Sequence, residues 1–352
     1  MKRSAGDFPS SKQEQFFTEL SNARYKGIPG VTMVQGNTRS NSFAVMMAMT
    51  HGCEPGGLAA AHALLHDADV RKNLQGNVAV VVNNIVAARR FFDEKDPTKL
   101  SSHRFYQLDG NRVPEDILER TPGDKQPYEV NRMLQLLPLL QDASMGLDVH
   151  SLGQAGDPSI ITTKGHLKDL DMLNASIDVQ DRIDNIVAHM TGLSINCLIG
   201  GLKQGGNKMD RLNQDVPALA LEVGPHLESK TMDFARQIVL SALMAAGYLD
   251  GQHAERTVQK RQYTTIGNIK FRDLSDKFAR THAGFGFIKE GELLYTGNQG
   301  DVFAEQDCHT IFGISEAGRS ITDPKFLSGE RMFLSAPVQI RDVTLREPQF
   351  ED

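Results

Sequence analysis

The sequence predicts an α/β fold, with alternating helices and strands over residues 1–250 and a smaller β-rich domain over residues 251–352. Continuous apolar runs such as FAVMMAM (43–49) and NVAVVVNN (77–84) are typical of strands that are buried on both faces of a sheet. Segments with apolar residues at helical spacing separate these runs. Beyond residue 251, short segments separated by Gly, Asp and Asn are typical of a β-rich region.

Composition excludes several classes of protein. An apolar content of 40% and a charged content of 23% are ordinary for a soluble globular chain of 352 residues. The net charge of -6 argues against nucleic-acid binding, and the apolar runs are too short to cross a membrane. The basic N-terminus lacks the apolar core of a secretory signal. Cys53, Cys197 and Cys308 are too widely spaced for a disulfide framework, so we expect a cytoplasmic protein.

In chain order the predicted elements are a helix (10–25), two strands (31–36 and 43–49), a helix (56–68), a strand (77–84), a long irregular polar segment (85–126), a helix (128–143), four strands (146–152, 159–163, 194–200 and 218–224) and a helix (229–249). Pro55 is expected in the first turn of its helix, Pro138 is expected to kink its helix, and Ser229 is the predicted N-cap. An irregular segment as long as 85–126 is unusual in a compact domain unless it has a function.

Polar side chains at the ends of predicted strands suggest a metal-dependent active site. His51 and Glu54 follow one strand, while His150 and Glu222 lie near the carboxyl ends of two others. Two histidines and a carboxylate are the usual protein ligands of a catalytic zinc, and a further buried carboxylate could act as a base. From the residues alone, a single histidine such as His150 is more often structural than a metal ligand, and a salt bridge is an alternative explanation for Glu222.

The polar segment contains Arg104, Asn111 and Arg112. Guanidinium groups hold carboxylates or a developing oxyanion, but a solvated loop is the more usual place for arginine.

Four motifs in order resemble one known family. They are HGCEPGG (51–57), RFYQLDGNR (104–112), LDVHS (147–151) and LALEVGP (219–225). Over about residues 43–250 the chain resembles the succinylglutamate desuccinylase and aspartoacylase family of zinc-dependent amidohydrolases. The resemblance implies a mixed sheet flanked by helices, as in the zinc carboxypeptidases, and a C-terminal β-rich domain that narrows access to the site.

The same resemblance implies roles for individual residues. His51, Glu54 and His150 match the ligands of one Zn²⁺ per chain. Glu222 matches the general base, and Arg104 matches the arginine that polarises the scissile carbonyl.

Other matches concern the substrate. Asn111 and Arg112 match the pair that helps to hold its carboxylate. Arg211 lies near the position of a further substrate-binding arginine, one residue out of register. The family's C-terminal tyrosine has no counterpart in the segment SEAGRS (315–320). Arg319 within that segment is one substitute, and Tyr295, earlier in the chain, is another.

The chain departs from the family at Cys53, where asparagine is common, and in a longer spacing between Asn84 and Arg104 that implies a reshaped substrate loop. The resemblance implies hydrolysis of a small anionic N-acyl amino acid. The alternatives are a metallocarboxypeptidase acting on peptides, a binding protein that has lost catalysis, and, more remotely, a thiol hydrolase built on Cys53. No nucleic-acid or membrane partner is expected, and homo-oligomerisation is left open.

Overall fold

A computed structural model of the protein describes residues 11–38, 40–111, 125–152, 158–162, 186, 197–200, 216–226, 228–251, 256–281, 285–311, 332–335, 337 and 339–345. Within these residues, no helix combines the length and the apolar character that crossing a membrane requires.

The helices of the described residues are α1 (Ser11–Asn22), α2 (Gly56–His66), α3 (Ala68–Asn73), α4 (Ile85–Asp93), α5 (Tyr128–Asp142) and α6 (Ser229–Ala245), with a 3₁₀ helix at Pro97–His103. The strands are β1 (Arg24–Tyr25), β2 (Ile28–Pro29), β3 (Val31–Val34), β4 (Phe43–Ala48), β5 (Asn77–Val82), β6 (Met145–Leu152), β7 (Ser159–Thr162), β8 (Cys197–Gly200), β9 (Ala218–Pro225), β10 (Arg256–Ile269), β11 (Lys277–Phe278), β12 (Phe287–Ile288), β13 (Leu293–Thr296), β14 (Val302–Phe303), β15 (Cys308–Thr310), β16 (Met332–Ser335) and β17 (Gln339–Leu345).

One mixed sheet organises the molecule. Strands β9, β6, β4 and β5 are adjacent and parallel, and β3 pairs antiparallel with β5 at the edge. On the other side β7 pairs antiparallel with β9, and β8 and β10 continue parallel to β7. The carboxyl ends of β4, β6 and β9 therefore meet at one edge, where the polar residues at those strand ends are brought together.

The two faces of the sheet bury alternate residues of the same strands. Met46 packs in a cluster with residues of α1, α2, α4 and α6, whereas Met47 packs in a second cluster with residues of α5. Both methionines have no exposed surface. Because β4 is covered on both faces, it has to be apolar at every position, which explains the run FAVMMA.

The sequence prediction was wrong for the segment that follows β5 and for the start of α6. The first part of the segment predicted as irregular forms α4, whose N-terminus is capped by the Asn84 side chain accepting from the Ala87 backbone N–H at 3.0 Å. The buried residues of α4 include Phe91 and Phe92, which stand between charged residues in the sequence. Ser229 is not an N-cap: it is the first residue of α6, and Glu228 precedes it without a side-chain cap.

The C-terminal part is β-rich, as predicted. Strand β10 pairs with β8 of the preceding region and also with β16 and β17, so hydrogen bonds cross the predicted boundary at residue 250. A separate three-stranded sheet of β11, β13 and β14 contributes to its own apolar cluster around Phe278 and Leu294.

Candidate metal centre and active site

The chain turns sharply where β4 ends. Met49 has a φ of 56°, in the left-handed region that is unfavourable for a methionine. The Glu54 N–H donates to the His51 carbonyl at 3.1 Å, which closes the turn. Both side chains are buried, and His51 Nδ1 lies 2.8 Å from Glu54 Oε1. The turn thus directs an imidazole and a carboxylate at each other.

His150 reaches the same carboxylate from the neighbouring strand. It lies near the carboxyl end of β6, which runs beside β4. His150 Nδ1 is 2.8 Å from Glu54 Oε2, and the rings of His51 and His150 are 5.0 Å apart between centroids. Potential ligand atoms of His51, Glu54 and His150 all lie within 4.8 Å of one another. The structure therefore brings together the three residues predicted as metal ligands.

The second ring nitrogen of each histidine, Nε2, faces a further carboxylate. His51 Nε2 lies 3.2 Å from Asp109 Oδ1, and His150 Nε2 lies 3.0 Å from Asp148 Oδ2. The Thr50 hydroxyl donates to the other oxygen of Asp148 at 2.6 Å. Carboxylates in this position commonly fix the orientation of metal-binding histidines and increase their basicity.

Electrostatics at this cluster favour positive charge. Burial alone would raise the pKa of Glu54, but the charges of His51 and Arg104 and hydrogen bonds from the two histidines hold it well below its ordinary value. Burial alone would lower the pKa of His150, yet Asp148 and Glu54 raise it well above its ordinary value. An ionised carboxylate and two imidazoles, with further carboxylates next to them, favour the binding of a cation at this position.

The donor atoms of this cluster are suited to zinc. Each histidine directs Nδ1 towards the Glu54 carboxylate and leaves Nε2 to face an aspartate. Two imidazole nitrogens and one carboxylate form a recurrent protein set for catalytic Zn²⁺, with a fourth position left for water or substrate.

Glu222 lies beside His150 on the adjacent strand. The two residues are paired in the register of β6 and β9. Glu222 Oε2 is buried and has no hydrogen-bond partner among the residues that the structure describes. Burial raises the pKa of this carboxyl to about 7, with Glu54 adding to the shift and His150 opposing it. The carboxyl could therefore accept or donate a proton near neutral pH.

Arg104 and Asn111 also contact the cluster. Arg104 donates from Nη1 to Glu54 Oε1 at 2.7 Å, and its side chain is 37% exposed. Asn111 is buried with its amide 3.3 Å from His150 Nε2. Its Oδ1 has no hydrogen-bond partner among the described residues. Arg112, Arg211 and Arg319 lie outside the described part of the chain.

Cys53 lies close to Glu54 and His226, and one potential ligand atom of each of the three residues lies within 4.8 Å of the other two. Cys53 is buried. Its Sγ is 4.0 Å from Nε2 of His226, whose Nδ1 lies 2.9 Å from the Ser151 hydroxyl. Burial and the nearby charge of Glu54 raise the pKa of the thiol to about 12, and burial lowers the pKa of His226 to about 4. A thiol that stays protonated beside a neutral imidazole argues against a cysteine nucleophile.

Tyr295, one of the two candidates for the C-terminal substrate contact, is buried in the apolar cluster of the C-terminal part. Its ring packs against Phe271 and Phe278, and the Arg272 guanidinium lies over it.

Sequence reasoning assigned no role to Asp109, Asp148 or His226. Asp148 could have been found, because it lies two residues before His150 and therefore on the same face of β6. Asp109 lies in an irregular segment and His226 follows a strand end, and no spacing rule predicts their contacts.

Comparison with known proteins identifies the fold. No protein-family profile matches the sequence, and no curated protein matches it. Among solved structures, murine aminoacylase 3 is 18% identical, with a TM-score of 0.57 over 86% of this chain and 98% of that one. A succinylglutamate desuccinylase from Vibrio parahaemolyticus is 13% identical, with a TM-score of 0.58 over 89% of this chain and 86% of that one. A succinylglutamate desuccinylase/aspartoacylase from Rhodobacter sphaeroides is 14% identical, with a TM-score of 0.54 over 87% of this chain and 88% of that one. The predicted fold, a mixed sheet flanked by helices with β structure towards the C-terminus, is confirmed.

Proposed function

We propose that this protein is a zinc-dependent hydrolase of the succinylglutamate desuccinylase and aspartoacylase type, and that it cleaves the amide bond of a small N-acyl amino acid. One observation carries the proposal: His51 and His150 each direct Nδ1 at the Glu54 carboxylate from 2.8 Å, with Glu222 paired beside His150. The shared fold supports it, since the similar structures carry the names aminoacylase and succinylglutamate desuccinylase.

In this proposal His51, Glu54 and His150 hold the metal. When bound, Zn²⁺ would supply Lewis acidity, polarising the acyl carbonyl and acidifying a water molecule. Asp109 and Asp148 would keep the two imidazoles in one tautomer, with Nε2–H donated to a carboxylate and Nδ1 free to bind.

Glu222 is the proposed general base. Its Oε2, which has no hydrogen-bond partner within the described part of the chain, is available for a proton from the attacking water, and the carboxyl then passes this proton to the departing amine. The carboxyl must ionise to act first as a base, and a raised pKa equips it to act afterwards as an acid.

Arg104 is the proposed stabiliser of negative charge on the acyl oxygen. Its hydrogen bond to Glu54 fixes the guanidinium beside the proposed ligands. The buried Oδ1 of Asn111 offers an acceptor to the substrate. Arg112 remains a predicted contact for the substrate's carboxylate, and Arg211 and Arg319 remain predicted contacts with the substrate.

The test combines a substrate panel with one variant. Zinc-loaded enzyme is assayed on N-acetyl, N-succinyl and N-formyl amino acids and, in parallel, on short peptides with free C-termini. Glu222→Gln removes the base, and we expect it to keep its zinc while losing about 10²- to 10⁴-fold in kcat. Glu228→Gln is the matched control, because Glu228 is a neighbouring acid whose described ion pair is with Lys230; its activity should be unchanged.

Each other outcome has a clear meaning. Near-normal turnover by Glu222→Gln would refute the mechanism. Release of C-terminal residues from peptides, with no action on acyl amino acids, would replace the proposed activity by a carboxypeptidase activity. Absence of zinc and of all hydrolysis after zinc addition would favour a binding protein with the same fold.

A further inference from the structure

The segment 104–109, which contributes Arg104 and Asp109 to the proposed metal centre, is held by one buried carboxylate. Glu129 lies in the first turn of α5 and is 2% exposed. It accepts hydrogen bonds from three successive backbone N–H groups, those of Tyr106 at 2.6 Å, Gln107 at 3.2 Å and Leu108 at 3.1 Å. Successive N–H groups that surround one anion form a compact and directional binding arrangement.

Additional contacts fix both sides of this arrangement. The Asn84 side chain, which caps α4, donates to Glu129 Oε1 at 3.0 Å. The segment also accepts a hydrogen bond from α5, since Gln107 Oε1 accepts from the Tyr128 N–H at 2.6 Å. One turn further along α5, Arg132 donates to the Val82 and Asn83 carbonyls at the end of β5. Helix α5 is therefore attached both to the sheet and to the segment.

The residues on either side of these three N–H groups contact the proposed metal ligands. Arg104 precedes them and donates to Glu54, while its carbonyl accepts from the Gly52 N–H at 2.9 Å. Asp109 follows immediately after Leu108 and faces His51 Nε2. Displacing residues 106–108 would therefore move a guanidinium and a carboxylate that both act on the metal-binding turn.

We infer that Glu129 is a positioning residue of the metal centre: by holding the N–H groups of residues 106–108, it sets where Arg104 and Asp109 stand relative to Glu54 and His51. The inference rests on the proposed function, because it assigns Glu129 a role in the affinity for zinc and in turnover. Glu129 itself makes no described contact with His51, Glu54 or His150, so its action passes through the segment.

Glu129→Gln tests this role with little change in size. The variant keeps one acceptor oxygen and replaces the other with an NH₂ group, which must face backbone N–H groups that also donate. We expect the zinc dissociation constant, measured by competition with a chelator, to rise about 10- to 100-fold, the range found when partners of metal ligands are lost. At saturating zinc, kcat should fall further than KM changes, since Arg104 acts on the transition state.

A matched control separates positioning from general destabilisation. Asp276 is also a fully buried carboxylate that accepts from a backbone N–H and a side chain, both of Arg272, but it lies in the C-terminal part. Asp276→Asn should lower the melting temperature and leave the zinc dissociation constant unchanged. Hydrogen exchange of the amides of residues 106–108 provides a third measurement, and only Glu129→Gln should accelerate it.

A folded Glu129→Gln enzyme with wild-type zinc affinity and kcat would overturn the inference, even if exchange of these amides were faster. If that variant fails to fold, Glu129→Asp replaces it, because the side chain keeps its charge but is one CH₂ group shorter, which withdraws the carboxylate from the N–H groups of residues 106–108. We expect about a threefold or larger rise in the zinc dissociation constant, and no rise would overturn the inference. Absence of zinc binding by the unmodified protein would instead refute the proposed function, while amide exchange would still decide whether Glu129 holds the segment.

Discussion

Gly52 lies between His51 and Glu54 in the turn that is proposed to bind the metal, and Gly52→Ala is the substitution we expect to damage the site most directly. A Cβ atom added to Gly52 would lie 2.3 Å from the Ala87 carbonyl carbon, 2.5 Å from the His103 carbonyl oxygen and 2.6 Å from Ala87 Cβ. The obstructing atoms belong to the backbone of α4 and of the 3₁₀ helix, or lie next to it. They cannot be moved by rotating a side chain.

The expected size of the effect follows from these distances. Nonbonded carbon atoms normally approach to about 3.5–4.0 Å, so the turn and α4 must separate by about 1 Å or more. Overpacking of this kind destabilises a core by about 1–3 kcal/mol, and here the backbone contacts place the effect at or above about 3 kcal/mol. Because His51 and Glu54 flank Gly52, a shift of about 1 Å should also reduce turnover about 10²-fold.

Urea unfolding gives the change in stability, and chelator competition gives the change in zinc affinity. Gly56→Ala is the matched control, four residues along the chain. Its added Cβ would lie 2.8 Å from Cγ2 of the buried Val223, and the next atom is at 3.7 Å. We expect Gly56→Ala to destabilise the protein by about 1 kcal/mol, less than Gly52→Ala, because its one close contact is with a methyl group and not with the backbone. A Gly52→Ala protein with wild-type stability and zinc affinity would refute the reasoning.

Two further variants test the surroundings of the site. Asp148→Asn should weaken zinc binding about 10- to 100-fold in chelator competition, because the amide is a poorer acceptor for His150 Nε2–H; unchanged affinity would exclude an orienting role. Cys53→Ser should leave kcat within about threefold, because a thiol with a pKa near 12 is not ionised at neutral pH, and should reduce stability by about 1–2 kcal/mol through burial of a hydroxyl. Loss of all activity in a stable Cys53→Ser enzyme would revive the thiol mechanism.

The buried strands were predictable from sequence because burial on both faces leaves a plain signature. Strand β4 is apolar at all of its positions, as β5 is after its first residue, and each was predicted to within two residues of its observed ends. Helix α4 was missed because its buried alanines and phenylalanines alternate with arginines in a stretch dominated by polar residues. The antiparallel pairing of β7 with β9 was likewise absent from the prediction, because strand direction depends on connections and not on composition.

The sequence by itself determined which chemical groups stand at the strand ends: two imidazoles, a carboxylate between them in the chain, and Glu222 on a later strand. Local spacing suffices for His51 and Glu54, which are three residues apart and share one turn.

Only the tertiary structure decided which other residues hold these strand-end groups in position. Asp109 is 58 residues from His51, and Glu129 holds backbone amides more than 20 residues earlier in the chain. Such contacts depend on where α5 packs against the sheet and on how an irregular segment crosses the strand ends. No periodicity in the sequence encodes either, because each is set by three-dimensional packing and satisfied hydrogen bonds.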